Sequence, residues 1–237
     1  MSHHPLSRLP QFDPRLIPAT GVDAHLPRVE SSALTPAALL RRFAVPPVWE
    51  PEVVLERKFA DRLPTRAAVL IPIVMRGRDA SRPTVLLTER TAHLSTHSGQ
   101  IAFPGGRVDD SDIDVTATAL REAQEEVGLD AKFVQVLGTL PTYTTGTSFI
   151  VTPVVALVQA DFELRPNAFE VADAFEVPLD FLMNPANHHR HAFEWEGVRR
   201  EWFSMPYNES APDSSIERYI WGATAGMLRN FYRFLSA

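Results

Sequence analysis

Three glutamates, Glu122, Glu125 and Glu126, are spaced three and four residues apart in a stretch with helical periodicity. Side chains at these spacings are neighbours on a helix, so the three carboxylates share one arc. Exposed like charges this close repel by about a few tenths of a kcal/mol per pair unless a cation lies among them. Carboxylate oxygens suit Mg²⁺ or Mn²⁺. The spacing is compatible with a divalent-metal site, although by itself it more often marks a solvated acidic face. The alternative is an ordinary solvated acidic face with an Arg121–Glu125 ion pair.

The elements that must position these glutamates are a turn, an acidic loop and a helix. Pro104, Gly105 and Gly106 form the turn, and four aspartates follow it. The apolar spacing predicts a helix over residues 115–127, and Gly128 ends it. The face of this helix that we expect to be buried carries Thr116, Ala119, Leu120, Ala123 and Val127.

Residues 106–129 resemble the Nudix box, in which a Gly and a spaced acid precede an Arg-Glu-aliphatic-x-Glu-Glu-x-Gly-aliphatic run. The matching residues here are Gly106, Asp112 and 121–129. Asp112 stands where the general pattern has Glu, one extra residue precedes Arg121, and Ala123 replaces a larger aliphatic. The resemblance implies an α/β fold, the Nudix-type α/β/α sandwich with a mixed β-sheet. It also implies a divalent-metal-dependent hydrolase of phosphoanhydrides.

The resemblance also implies roles for individual residues. Glu122 and Glu126, one helical turn apart, would chelate one ion, Glu125 would serve a second ion or a bound water, and the carbonyl of Gly105 or Gly106 would complete the shell. We assign Arg121 to orienting the carboxylates, since a guanidinium cannot act as a base near neutral pH. The candidate acid from outside the box is Glu170, with Glu176 and Asp173 next. The predicted metal set is Glu122, Glu125, Glu126 and Gly106, and the predicted catalytic set is Arg121, Glu122, Glu125 and Glu170.

Residues 86–106, LLTERTAHLSTHSGQIAFPGG, resemble the motif of the coenzyme A pyrophosphatase branch. The spacing is preserved, but the family's second Arg falls at position 95, where this chain has Ser95. Arg90 matches and suits oxyanions because its guanidinium is a planar fork. The predicted substrate-binding residues are Arg90, Ser95, His97 and Gly105. This branch cleaves coenzyme A to 3′,5′-ADP and 4′-phosphopantetheine.

Two other functions remain as alternatives. One is a Nudix pyrophosphatase of another nucleoside diphosphate compound, such as ADP-ribose. The other is a non-catalytic Nudix module that senses a nucleotide. A sensor of this kind is expected to have lost a metal carboxylate, whereas all three glutamates are present.

The length and composition limit the possible domain organisation, chemistry and partners. A chain of 237 residues with 45% hydrophobic content predicts one catalytic domain, residues 65–237, after a Pro-rich, loosely structured extension, residues 1–64, with a short helix. The absence of cysteine excludes disulfides and thiolate chemistry. A net charge of −6 argues against nucleic acid and is compatible with a small phosphorylated substrate. We expect a cytoplasmic protein with no membrane segment, and a homodimer is left open.

The chain also predicts the remaining elements. Strands are expected at 67–75, 84–88, 100–103, 133–140 and 149–158, with two more in 190–205. Helices are expected at 37–43, after Pro178, and at 220–235 with Trp221 and Leu228 on its buried face. His188, His189 and His191 are assigned to a solvated loop, with a transition-metal site as the less favoured alternative.

Overall fold

A computed structural model describes residues 13–56, 63–91, 99–195, 198–211 and 214–237. Its strands are β1 (Ala19–Val22), β2 (Thr65–Val74), β3 (Thr84–Arg90), β4 (Ile101–Ala102), β5 (Gly105–Arg107), β6 (Val134–Thr139), β7 (Tyr143–Thr144), β8 (Phe149–Val158), β9 (Val171–Pro178), β10 (His189–Trp195), β11 (Val198–Ala211) and β12 (Ser214–Trp221). Its helices are α1 (Pro36–Ala44), α2 (Val115–Val127), α3 (Leu179–Leu182) and α4 (Gly222–Ser236).

The larger sheet is mixed. Its central order is β4-β3-β2-β8-β6, while β5, β7 and β9 pair with β2, β8 and β3. β2 and β8 are parallel over ten residues, and the other pairs are antiparallel. Strands covered on both faces have near-continuous apolar sequences, which is why β2 and β8 were predicted closely.

Two cores lie on opposite faces of this sheet. Alternate residues of a strand point to opposite faces, and β2 follows that rule. Ala68 and Leu70 pack against the apolar face of α2. Ala67 and Ile71 belong to the other core, which contains α3, α4 and Leu39 of α1. Helices therefore cover both faces, and the predicted α/β/α sandwich with a mixed sheet is confirmed.

The smaller sheet has the order β1-β10-β11-β12 and is antiparallel. The residues that precede β2 contact both the smaller sheet and a core of the larger sheet. β1 pairs with β10 of the smaller sheet, and Val29 and Leu34 are buried in the core that contains α4. The helix predicted there is confirmed as α1, with Thr35 as N-cap and Pro36 in its first turn. Within residues 13–56, Asp23, Val29, Leu34 and Leu39 are buried, so this segment contacts the folded body at these points. The division at residue 64 stays a prediction.

A buried ionic cluster connects this N-terminal segment to helix α4. The guanidinium of Arg229 on α4 donates to Glu52 at 2.7 Å and lies 3.0 Å from Asp23. It also lies 3.1 Å from Nδ1 of His188, whose Nε2 is 2.7 Å from the carbonyl of Leu182. Nε2 therefore donates and Nδ1 accepts. Burial, aided by the charge of Arg229, lowers the pKa of His188 to about 4.

Two sequence predictions are wrong here, and two strands were missed. His188 and His191 are buried, and His189 and His191 lie in β10, so these histidines do not form a solvated loop. β9 and β12 were not predicted, because each depends on a long antiparallel partner, β3 or β11. The last helix begins at Gly222, and Trp221 is its half-buried N-cap and not a core residue. Leu228 is buried as expected.

Candidate active site

Helix α2 places its glutamates at different depths. The carboxylate of Asp114 caps the helix by accepting a bond from the Ala117 N–H at 2.8 Å. Gly128 ends the helix in the left-handed region at φ +71°. These ends confirm the predicted helix. The exposed fraction of the side chain is 5% for Glu126, 15% for Glu122 and 57% for Glu125.

The glycine turn lies directly against the two deeper glutamates. The Gly105 N–H donates to Oε2 of Glu126 at 3.1 Å. A Cβ on Gly105 would meet backbone atoms of Ala68 and Val69 at 2.5 to 2.6 Å, so only glycine permits this approach of β5 to β2. A Cβ on Gly106 would lie 2.3 to 2.5 Å from the carboxylate of Glu122. Both glycines therefore leave room for these contacts.

Arg121 connects the acidic loop to the helix. It donates to both carboxylate oxygens of Asp112, at 3.0 and 2.9 Å, and to Glu122 at 2.9 Å and Glu125 at 3.2 Å. Its remaining bond is to the carbonyl of Arg107 at 3.1 Å. The hydrogen bonds from Arg121 hold the pKa of Asp112 well below its usual range. The predicted Arg121–Glu125 ion pair is present within a larger network.

Glu126 is a buried carboxylate among other negative charges. Burial raises its pKa to about 7, and the charges of Glu122 and Glu170 add to that effect. The hydrogen bond from Gly105 and the charge of Arg90, whose Nη1 is 3.9 Å from Oε1 of Glu126, oppose it. Burial also raises the pKa of Glu122, despite its bond to Arg121. The site is thus short of positive charge.

The loop that carries Glu170 is hydrogen-bonded to helix α2 and to Thr91. The Asn167 N–H donates to the carbonyl of Glu126 at 2.8 Å, and the Thr91 N–H donates to the carbonyl of Glu170 at 3.1 Å. Arg90, beside Thr91, has a buried Nε that lacks a hydrogen-bond partner among the described residues. An anion bound at Arg90 would supply that partner.

The donor set fits a hard divalent cation. Glu122 and Glu126 are carboxylates with raised pKa values, and a bound cation would relieve the energetic cost of their charges. Within the residues described, no three His, Asp or Glu side chains form a ready-made metal site. Arg121 binds Glu122 and Glu125 in this structure. The metal-ligand assignment therefore stays a proposal.

The structure brings most predicted site residues together and leaves two outside its description. Ser95 and His97 lie outside the described residues. The other predicted residues are gathered around α2 and the glycine turn, namely Arg90, Gly105, Gly106, Arg121, Glu122, Glu125, Glu126 and Glu170.

Sequence reasoning missed the bidentate bond between Asp112 and Arg121. In the sequence, Asp112 stands out only as a departure from the box pattern. The signal that was available is the acidic residue of the box, since an acid that must orient an arginine can be Asp or Glu if the loop length adjusts. This chain has Asp at that position and one extra residue before Arg121.

None of the helices in the described ranges is long and apolar enough to cross a membrane.

Comparisons with known proteins address the same region. The NUDIX domain family model matches residues 64–202. The chain is 40% identical over 171 residues to the uncharacterized Nudix hydrolase NudL of Yersinia pestis and to that of Yersinia pseudotuberculosis, covering 72% of this chain and 80% of each relative.

Solved structures with similar coordinates include the Nudix hydrolase RenU of M. Smegmatis, at 27% identity and a TM-score of 0.43, covering 54% of this chain and 79% of that one. A C. elegans Ap4A hydrolase binary complex matches at 21% identity and a TM-score of 0.41, covering 52% of this chain and 85% of the other. The family model and the identity to the curated relatives show that the chain belongs to the Nudix family of hydrolases and is a pyrophosphatase of nucleoside diphosphate derivatives.

Proposed function

We propose that the enzyme hydrolyses the pyrophosphate bond of coenzyme A or its derivatives, giving 3′,5′-ADP and (acyl-)4′-phosphopantetheine. The supporting observation is that Arg90 and Gly105, two described residues of the stretch 86–106 whose spacing resembles the coenzyme A branch, both lie against the acidic helix. Arg90 from one end of this stretch is 3.9 Å from Glu126, and Gly105 from the other end bonds the same carboxylate.

The proposed metal site consists of Glu122, Glu126, Glu125 and the carbonyl of Gly106. A bound Mg²⁺ or Mn²⁺ would neutralise the diphosphate and activate a water. Glu126 is held for this purpose by the Gly105 N–H and by its burial. Arg121 keeps Glu122 and Glu125 oriented through its bonds to both.

The proposed substrate contacts lie beside the metal site. Arg90 is the proposed phosphate contact, because its buried Nε lacks a hydrogen-bond partner within the described chain. Ser95, His97 and Gly105 are the other proposed contacts, and Ser95 replaces an arginine of the branch motif with a weaker hydrogen-bonding group. Glu170 is proposed as the carboxylate outside the box that accepts a proton from water. Its negative charge contributes to the raised pKa values of Glu122 and Glu126.

A product assay tests this proposal. The protein is incubated with coenzyme A and Mg²⁺ or Mn²⁺, and products are identified by mass spectrometry, with a Glu126→Gln variant as control. We expect 3′,5′-ADP and 4′-phosphopantetheine, and a kcat/KM for coenzyme A at least about tenfold above that for ADP-ribose, the value of one good phosphate contact.

Dephospho-coenzyme A tests recognition of the 3′-phosphate, because it lacks only that group. If it, or ADP-ribose, is cleaved as efficiently as coenzyme A, the coenzyme A assignment fails and a broader nucleotide pyrophosphatase replaces it. The cytoplasm stays the predicted compartment, and a homodimer stays open.

A further inference from the structure

Arg218, on β12 of the smaller sheet, is a buried arginine that reaches the larger sheet. Its side chain is 6% exposed. Its guanidinium donates to Glu89 at 3.0 Å, to Glu209 at 2.9 Å and to Asp173. It also lies 4.0 Å from the ring centroid of Phe175. One cation therefore binds three carboxylates that come from β3, β9 and β11.

Two of these carboxylates face each other across strands of the larger sheet. Glu89 of β3 is the direct partner of Asp173 of β9. Like charges directly opposite each other destabilise a strand pair, so this pair requires a cation. Leu87 and Phe175, two residues away on the same face, belong to the core opposite α2. Arg218 thus approaches the sheet from the face that is remote from the glutamates of α2.

Arg90 follows Glu89 and projects to the other face. Leu86 packs on the side of α2 and Leu87 on the opposite side, so the two-residue period places Glu89 away from α2 and Arg90 towards it. The contacts agree, because Glu89 meets Arg218 while Arg90 is 3.9 Å from Glu126.

The strand pairing also becomes irregular at this point. The β3–β9 register shifts between Glu89 and Arg90, which lies opposite Val171. The extra residue is Ala172 in β9, so the bulge bends the strand that leads back to Glu170. Thr91 then bonds the carbonyls of Glu170 and Phe169, at 3.1 and 3.0 Å. The Glu89 pair is therefore the last regular pair before the segments that carry Arg90 and Glu170.

We propose that Arg218 is a positioning residue of this enzyme. It clamps the last regular pair of β3 and β9 and so fixes where the Arg90 guanidinium meets the anionic part of the substrate. Without Arg218 the facing carboxylates repel, the pair separates, and Arg90 shifts relative to Glu126. Arg218 itself touches no reacting atom. The inference rests on the proposed role of Arg90 in phosphate binding and does not depend on coenzyme A as the substrate.

Binding of ADP, measured by calorimetry with Mg²⁺, tests this role without requiring turnover. Arg218→Met keeps a long apolar stem and removes the charge. We expect ADP affinity to fall about tenfold, KM for the hydrolysed substrate to rise by a similar factor, and kcat to stay within about threefold, because a ground-state contact is weakened. Arg199→Met is the matched control, since Arg199 forms an exposed ion pair with Glu201 in the same sheet, and its ADP affinity should not change.

Charge rescue and a double-mutant cycle separate positioning from a purely structural role. Adding Glu89→Gln and Asp173→Asn to Arg218→Met removes the repulsion, so most of the ADP affinity should return. Arg90→Gln combined with Arg218→Met should bind ADP no more weakly than Arg90→Gln alone, because both act through one contact. Losses that multiply, or an Arg218→Met variant that binds ADP normally, would overturn the inference. If wild type prefers ADP-ribose to coenzyme A, the substrate proposal fails while the ADP cycle still decides the role of Arg218.

Discussion

Replacing Glu126 by Gln should make the metal-free protein more stable while removing its activity. Glu126 is 4% exposed and close to Glu122, and its pKa rises from an ordinary value of 4.5 to about 7. In the folded state the neutral form is therefore favoured up to about pH 7. A Gln side chain has the same shape, has no charge, and its carbonyl oxygen can still accept the bond from Gly105.

The sign and size follow from linkage between protonation and folding. A carboxyl whose folded pKa is raised contributes stability that is complete below its unfolded pKa and is lost as pH rises through the folded value. A rise from 4.5 to about 7 corresponds to about 3 kcal/mol of unfolding free energy lost between these pH values. The variant escapes this loss. Because the bond from Gly105 is weaker to an amide than to a carboxylate, we expect a net gain of about 1 to 3 kcal/mol at pH 8.

Urea unfolding in a chelator, at pH 5 and pH 8, measures this difference. Wild type should lose stability between the two pH values, and Glu126→Gln should lose much less. With Mg²⁺ or Mn²⁺ present, turnover of the variant should fall at least about a hundredfold, since a metal carboxylate is gone. In the unfolding measurement, Glu125→Gln is the control for removing a charge at an exposed position, because the Glu125 side chain is 57% exposed. A Glu126→Gln variant that is less stable than wild type at pH 8 in chelator, or that turns over normally, would refute the reasoning.

Three further outcomes are expected. Gly106→Ala places a Cβ against the flexible carboxylate of Glu122 and should lower turnover at least about tenfold with little loss of stability. Gly105→Ala places a Cβ against backbone atoms of β2 and should clearly lower the melting temperature. Equal losses of stability in the two variants would contradict this contrast. The depressed pKa of His188, about 4, should cost about 3 kcal/mol of unfolding free energy as pH falls from 6.5 to 4, and a His188→Gln variant with the same pH slope would disprove it. Glu170→Gln should lower kcat across pH 6 to 10, and full activity there would place the outside acid elsewhere.

The sequence predicted the parts of the fold whose signals are local. Helix α2 has its N-cap, apolar face and terminal Gly128 within a continuous stretch, and β8 was predicted at its observed bounds. The depth of Glu126 was not predictable in the same way. Helical periodicity places the three glutamates on one arc, but the glycine turn lies against Glu126 and Glu122 and leaves Glu125 exposed.

Long-range ionic contacts were beyond the sequence for a different reason. Arg218 lies 129 residues from Glu89 and 45 from Asp173, and only the register of two sheets brings them together. The same holds for Arg229, which meets Glu52 across 177 residues. Neither arginine has a neighbouring sequence pattern that marks it as buried. The histidines near β10 were misjudged because a neutral imidazole can be buried once both nitrogens have partners.

The parallel pairing of β2 and β8 has a consequence for how the enzyme folds. Each residue of β2 pairs with the residue 84 positions later, from Thr65 with Phe149 to Val74 with Val158. Closing a loop of this length costs chain entropy before any contact is gained, and such topologies fold slowly. The glycine turn and α2 both lie inside that loop. Catalytic activity during refolding should therefore return only with the slow formation of the central sheet, after helical signals have already recovered.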